Sequence, residues 1–190
     1  MLLAGTGHVK KMARRGEATG PSPAHDGLMQ TCNVDGLTIR VLRNGDTATV
    51  AALFERLGSR SRERRFCGAK PRVSDYELRL LARVDDTHHV LVGYVDGDAE
   101  PVGIARLVRD GRSAEVAFEV ADPYQGRGIG TILTRELAAD ARAAGITELQ
   151  ATVCGDNPPA VSLLSQVAQS LQVRWRGGER ELVARLEGGR

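Results

Sequence analysis

The sequence predicts a mixed α/β (α+β) domain, with a mostly antiparallel central sheet of about six or seven strands flanked by about four helices. Three observations predict it. Strand-like alternation recurs in three neighbouring segments, "HHVLVGYV" (88–95), "PVGIARLVR" (101–109) and "SAEVAFEVA" (113–121), joined by "DGDAE" and by the tight-turn pair Asp110-Gly111. Apolar residues at helical spacing fill "GTILTRELAADARAA" (130–144). Segments with helix-start signals stand ahead of the first of those strands.

Taken in order, "LTIRVL" (37–42) alternates like a strand, and the Asn44-Gly45-Asp46 turn places Asp46 to cap a helix that runs through Glu55 and ends at Gly58. "SRSRERRF" (59–66) is a short, strongly basic segment. Ser74 and Glu77 form a capping box ahead of "LRLLARV", a second amphipathic helix. The three strands form an antiparallel meander. The helix over 130–144 stops at Gly145, and "ELQATV" (148–153) is a further strand. "AVSLLSQVA" (160–168) is a short helix after two prolines, and "LQVRW" and "ELVARL" flank "RGGE" as a last hairpin. Residues 1–35 are rich in Gly, Pro, Ser and charge, with a small basic cluster at Lys10, Lys11, Arg14 and Arg15, and read as a disordered tail before a domain over 36–187.

A chain of 190 residues that is 42% hydrophobic has the makings of one ordinary core, packed mainly by aliphatic residues because only 4% is aromatic. The net charge of +2 gives no argument for nucleic acid or a membrane surface. Cys32, Cys67 and Cys154 are odd in number, far apart and without CxxC spacing, so the sequence points to neither a disulfide framework nor a metal site. A reducing cytoplasm is expected, as no signal-peptide or membrane-length apolar run is present.

The chemistry is concentrated in "YQGRGIGTIL" (124–133). A dinucleotide fingerprint would need glycine where Thr131 stands, and a Walker A loop would need a lysine after Gly130. What remains is Gln-x-x-Gly-x-Gly (Gln125, Gly128, Gly130) between an antiparallel strand and a helix. Such a loop lets backbone approach a ligand, while the helix start offers unpaired N–H groups and a positive dipole end; a pyrophosphate suits it, with Arg127 as an added cation.

With that loop, the "AEVAFEV" strand before it, the long helix after it and the later strand ending at "VCGDN", the sequence resembles the GNAT acetyltransferase superfamily over residues 37–186. Within it, "FERLGSRSRERRF", "AEVAFEVADPYQGRGIGT" and "DNPPAVSLL" resemble the acetyltransferase domain of bacterial Pat-type protein lysine acetyltransferases. The resemblance implies a GNAT fold and acetyl-CoA as cosubstrate, with no metal. It assigns the pyrophosphate to the backbone of Gln125, Gly126, Arg127, Gly128, Ile129, Gly130 and Thr131, and the pantetheine arm to the main chain of Phe118, Glu119 and Val120 and to Asn157. The arm would enter a splayed gap between the strands at 113–121 and 148–153.

An amine such as lysine, with a pKa of about 10.4, must lose a proton before it attacks a thioester. The resemblance places Glu115 at the position of the general base. Alternation puts Glu115, Ala117 and Glu119 on one face and Val116, Phe118 and Val120 on the core face. The Glu119 side chain is expected in solvent, with its N–H near the thioester carbonyl to be polarised. The tyrosine acid of many relatives would fall near Leu164, so none is expected, and their Gly-Phe is replaced by "AQSLQ".

His88 and His89 lack partners at ligand spacing, Cys154 reads as a small buried thiol, and Asp122 and Asp156 as turn residues. Arg60, Arg62, Arg64, Arg65, Lys70 and Arg72 form a basic band, either a solvated helix face or a contact for an acidic protein surface or nucleotide phosphates. The expected acceptor is a protein lysine, with a small amine or a non-catalytic acyl-CoA sensor as alternatives. Pat-type proteins often add a nucleotide-sensing or ligase-like region; 190 residues leave no room for one, so a regulatory partner would act in trans.

Overall fold

In a computed structural model, which describes residues 31–34, 36–176 and 179–187, eight strands form one sheet in the order β1-β2-β3-β4-β5-β6-β8-β7. The strands are β1 (Thr31–Val34), β2 (Leu37–Val41), β3 (His88–Val95), β4 (Gly103–Asp110), β5 (Ser113–Val120), β6 (Glu148–Cys154), β7 (Ser170–Arg176) and β8 (Glu179–Arg185). Helices α1 (Thr47–Glu55), α2 (Ser59–Phe66) and α3 (Asp75–Leu81) lie between β2 and β3 in the chain. Helix α4 (Ile129–Ala143) joins β5 to β6, and α5 (Pro158–Ser165) follows β6. Every neighbouring pair is antiparallel except β5 and β6.

The mixed, mostly antiparallel architecture expected from the sequence is present, with one strand more. Thr31–Val34, placed in the tail by composition, pairs with β2 as β1, while residues 1–30 and the basic cluster in them lie outside the described residues. Asp46 caps α1 by accepting from the Thr49 N–H at 3.0 Å, and the Ser74–Glu77 capping box closes both ways at the start of α3. Gly145, at φ +75°, ends α4 as expected. "SRSRERRF" is a helix, which its polar composition concealed: its inward stripe is Ser61, Arg65 and Phe66 rather than an apolar row.

The sheet divides the interior into two apolar layers. Under α4 and α5 pack Leu107, Val116, Phe118, Leu133, Leu137, Leu149 and Leu164 among others. Across the sheet, α1, α2 and α3 bury Leu53, Phe54, Phe66 and Leu81 against Val90, Val92 and Ile104. The Phe54 and Phe66 rings meet edge to face at 6.0 Å. This second layer explains why Glu115 and Glu119, turned away from the first core, are not in water: they are 8% and 4% exposed.

Candidate active site

Parallel pairing between β5 and β6 covers only Ser113↔Glu148, Ala114↔Leu149 and Glu115↔Gln150, although β5 continues to Val120 and β6 to Cys154. Beyond Glu115 the two strands diverge, β5 still held by β4 and β6 by β8. The gap is edged by backbone groups able to receive an extended chain as an extra strand. Which residues face it follows from alternation. The Arg112 carbonyl accepts the Thr147 N–H at 2.8 Å, on the β6 side, and the β4–β5 register runs without a bulge to Val120. The N–H and C=O groups of Val116, Phe118 and Val120 therefore turn toward the gap, and those of Glu119 toward β4. That corrects the expectation for the Glu119 N–H.

The glycine loop stands at the open end of this gap. A single 3-10 turn, Asp122–Tyr124, leads into it and is pinned from several sides. The Tyr124 hydroxyl donates to Asp98 at 2.7 Å, and Arg56 reaches the same carboxylate at 2.6 Å with its guanidinium over the Tyr124 ring. Hydrogen bonds from Arg56 and Tyr124 hold the Asp98 carboxyl well below its ordinary range. At Gly58, between α1 and α2, a Cβ would come within 2.5 Å of an Asp122 carboxylate oxygen, which shows how closely that junction sits on the turn. The Gln125 side chain points back into the protein, its Nε2 donating toward the Val120 carbonyl at 3.0 Å and within reach of Asp122 and Ser61. Gln125 thus braces the loop rather than facing a ligand.

Gly126 and Gly128 have φ of +76° and +83°, a left-handed conformation that side chains resist, and a Cβ at either would meet nothing within 4 Å. Conformation, not crowding, requires glycine there, and the space over the loop is open. Gly128 begins α4 with no side-chain cap and no acidic residue in the first turn, so the helix start is left to an anion; buried Ile129 fixes its position. Arg127 is exposed, its guanidinium 5.0 Å from the Tyr124 ring centre. Gly130 and Thr131 lie in the first turn, and Asn157 begins α5 with 1% exposure. A pyrophosphate on a long, amide-bearing arm fits an uncapped helix start beside an open-edged gap. Gly128→Ala is expected to lower Tm by a few degrees in a thermal scan, since left-handed backbone costs alanine roughly 1–2 kcal/mol.

On the other face, under α1 to α3, Glu119 receives hydrogen bonds on one oxygen from Arg65 Nε of α2 and Arg106 Nη1 of β4, each at 2.6 Å. Arg65 and Arg106 are 0% and 1% exposed. The solvated position expected for Glu119 is therefore replaced by a buried ionic cluster with Arg65 and Arg106. Burial alone would raise the Glu119 carboxyl, but Arg106 and Arg65 overcome it and hold the group below its ordinary value. Burial lowers the Arg106 guanidinium, and Glu119 only partly restores it. Held this way, Glu119 is a weaker proton acceptor than an ordinary glutamate. Glu115, on the last paired rung of the gap, is the other acid of that face.

Three further expectations change. The basic band is divided: Arg65 is buried, Arg62 pairs with Glu55 and donates to the Leu57 and Pro71 carbonyls, and Lys70 binds Glu77, while Arg60 and Arg72 are exposed. His88 and His89 do have carboxylate partners, Asp85 and Asp140, each at 2.8 Å. Cys67 and Cys154 come together with Cα atoms 5.5 Å apart, although sequence spacing gave no sign of it. Leu164 is fully buried in the first core, and the three tyrosines of the chain, Tyr76, Tyr94 and Tyr124, stand elsewhere.

These features coincide with family membership. The model of the acetyltransferase (GNAT) family matches residues 52–167, more than half of the chain, and the protein belongs to that family of acetyltransferases. It is 42% identical over 84 residues to the acetyltransferase Pat of Mycolicibacterium smegmatis, a match covering 42% of this chain and 25% of that protein. It is 31% identical over 116 residues to acetyltransferase PA5475 of Pseudomonas aeruginosa, covering 58% of this chain and 62% of that one. The aligned segments thus span less than two thirds of either curated relative. Among solved structures, the GNAT domain of S. lividans PAT superposes with a TM-score of 0.72 at 26% identity, covering 87% of this chain and all of that one. No helix among the described residues is long and apolar enough to cross a membrane.

Proposed function

We propose that the domain over residues 36–187 transfers the acetyl group of acetyl-CoA to a primary amine, with the Nε of a protein lysine as acceptor. The observation that carries this reading is the gap opening at the Glu115↔Gln150 rung, with the glycine loop at its far end and a buried glutamate at its closed end. Acetyl-CoA supplies an activated thioester. The backbone of residues 125–131 holds its pyrophosphate, and the gap-facing main chain of Phe118 and Val120 pairs with the pantetheine arm. Asn157, at the start of α5, contacts the same arm. A gap-facing N–H of β5 polarises the carbonyl as charge develops on its oxygen.

Glu115 removes the amine proton, directly or through one water, as the nitrogen attacks. With no tyrosine at the Leu164 position, the departing thiolate takes its proton from water. Lysine as acceptor is supported by the similarity to Pat proteins in sequence and in fold. A reducing cytoplasm, where acetyl-CoA and protein lysines meet, is the compartment this activity needs, and a regulator acting in trans completes the proposal.

Mass spectrometry of protein incubated with acetyl-CoA, once with a lysine-rich protein mixture and once with a panel of small amines, tests this. Enzyme-dependent acetylation of protein lysines is expected. Product confined to the small amines refutes lysine as acceptor, and acetyl-CoA binding without product in either mixture identifies a sensor.

A further inference from the structure

We infer that Cys67 and Cys154 form a redox-active pair whose disulfide latches the exit of α2 to the diverging end of β6, and that closing it hinders entry of the acceptor amine. The second half rests on the proposed function; the first does not. The two sulfurs meet across 87 residues of chain, with a Cα separation of 5.5 Å that a disulfide spans without backbone movement. Both residues are half-buried, within reach of a small reagent.

The placement of each cysteine is informative. Cys67 ends α2 at φ +53°, and among the described residues no other non-glycine residue has a positive φ. Helices commonly use glycine in that conformation, and Gly68 stands one residue away, so the chain places a side chain where one is disfavoured. Cys154 is the last residue of β6, beyond Gln150, where pairing with β5 stopped. Alternation from Gln150 puts Cys154 on the same face of the sheet as Glu115, opposite the buried Leu149, Ala151 and Val153.

The consequence comes from what else holds α2. Arg65, two residues before Cys67, is tied to Glu119 on β5. Helix α2 is therefore anchored to one wall of the gap by an ion pair and to the other by the cysteines. With the disulfide closed the two walls are strapped together on the face from which the amine arrives. With it open, the β6 end and the α2 exit are free to part.

A metal is the competing use of these sulfurs. Glu179 Oε1 lies 3.9 Å from Cys154 Sγ, and the donor atoms of Cys67, Cys154 and Glu179 fall within 4.8 Å of one another. No fourth His, Cys, Asp or Glu joins them among the described residues, whereas a structural zinc site takes four ligands. The chemistry of closure needs a low-molecular-weight disulfide, RSSR. One cysteine thiolate attacks it, forming a mixed disulfide and expelling RS⁻; the second attacks the protein sulfur of that bond and expels the other. The two cysteine protons go to the two thiolates released, so two protein thiols and RSSR become one protein disulfide and two RSH.

The test uses the full chain, incubated with oxidised glutathione and then with excess dithiothreitol. Thiols are counted by alkylation after denaturation, and backbone hydrogen exchange is followed at α2 and β6. Of three cysteines two should become unreactive, with the peptides bearing Cys67 and Cys154 linked, and exchange in residues 151–154 should slow; both effects should reverse on reduction and be absent from Cys67→Ser and Cys154→Ser. The kcat/KM for the amine should fall about tenfold on oxidation, with acetyl-CoA affinity unchanged. Three reactive thiols after oxidation, a stable glutathione adduct, zinc copurifying with the pair or unchanged exchange would overturn the latch. Equal kcat/KM in both states would overturn its effect on the acceptor. A chain that forms the bond and slows exchange but transfers no acetyl in either state would refute the proposed function while leaving the latch intact.

Discussion

Replacing Glu115 by Gln is expected to lower kcat by about 10²–10⁴-fold while changing acetyl-CoA affinity little. Glutamine keeps the size of the side chain and its hydrogen-bonding reach but accepts no proton. Glu115 is 8% exposed, on the rung where β5 leaves β6, so the substitution exchanges one polar group for another in a partly enclosed site. The other acid of this face offers no rescue, because two arginines hold Glu119 as a carboxylate. The pH profile should separate a base from a merely structural glutamate. Without a base, turnover depends on the amine arriving already neutral, a fraction that rises about tenfold per pH unit below the lysine pKa of about 10.4. The rate of the variant should therefore climb steadily toward high pH, where the wild-type enzyme levels off. A parallel pair of profiles, or an unchanged kcat, would remove Glu115 from the mechanism.

The elements legible in the sequence were those in which one residue type has one job. The Ser74–Glu77 capping box, the left-handed stop at Gly145, the three meander strands and the glycine loop each announce themselves locally, and each stands where expected. What stayed hidden depends on residues distant in sequence. Helix α2 buries Arg65, a residue that composition assigns to solvent, because its partner is 54 positions away on β5. The same pairing takes Glu119 out of water, which strand alternation on its own could not foresee: alternation tells which face a side chain takes but not what covers that face. Cys67 and Cys154 met for a similar reason, being brought together by the path of α2 over the sheet. A signal for the triad did exist, in Arg106 within an otherwise apolar β4 run and Glu119 in an otherwise apolar end of β5. Charges of opposite sign inside two neighbouring buried strands point to a pair.

Glu119→Gln should be the most destabilising polar substitution in the α1–α3 layer, costing about 3–5 kcal/mol because it removes the carboxylate charge that two buried guanidinium groups share. For a chain of this size that lowers Tm by roughly 6–20 °C. The loss belongs to buried arginine charge left without that carboxylate rather than to a large net worth of the triad, so replacing all three members together by apolar residues of similar volume should recover most of it. Acid tests the same group without mutation. The folded-state pKa of Glu119 lies below its ordinary value of 4.5, so the unfolded chain binds the proton more readily. Its contribution is therefore fully present above the unfolded pKa and is lost as pH falls from there through the folded pKa. Between neutral pH and about pH 5 the Glu119 term should leave Tm flat, and below about pH 4.5 the wild-type Tm should fall more steeply than that of Glu119→Gln. Coincident slopes in acid, or a variant as stable as the wild type at neutral pH, would mean that the arginines find other partners and that α2 is held to the sheet by its apolar contacts alone.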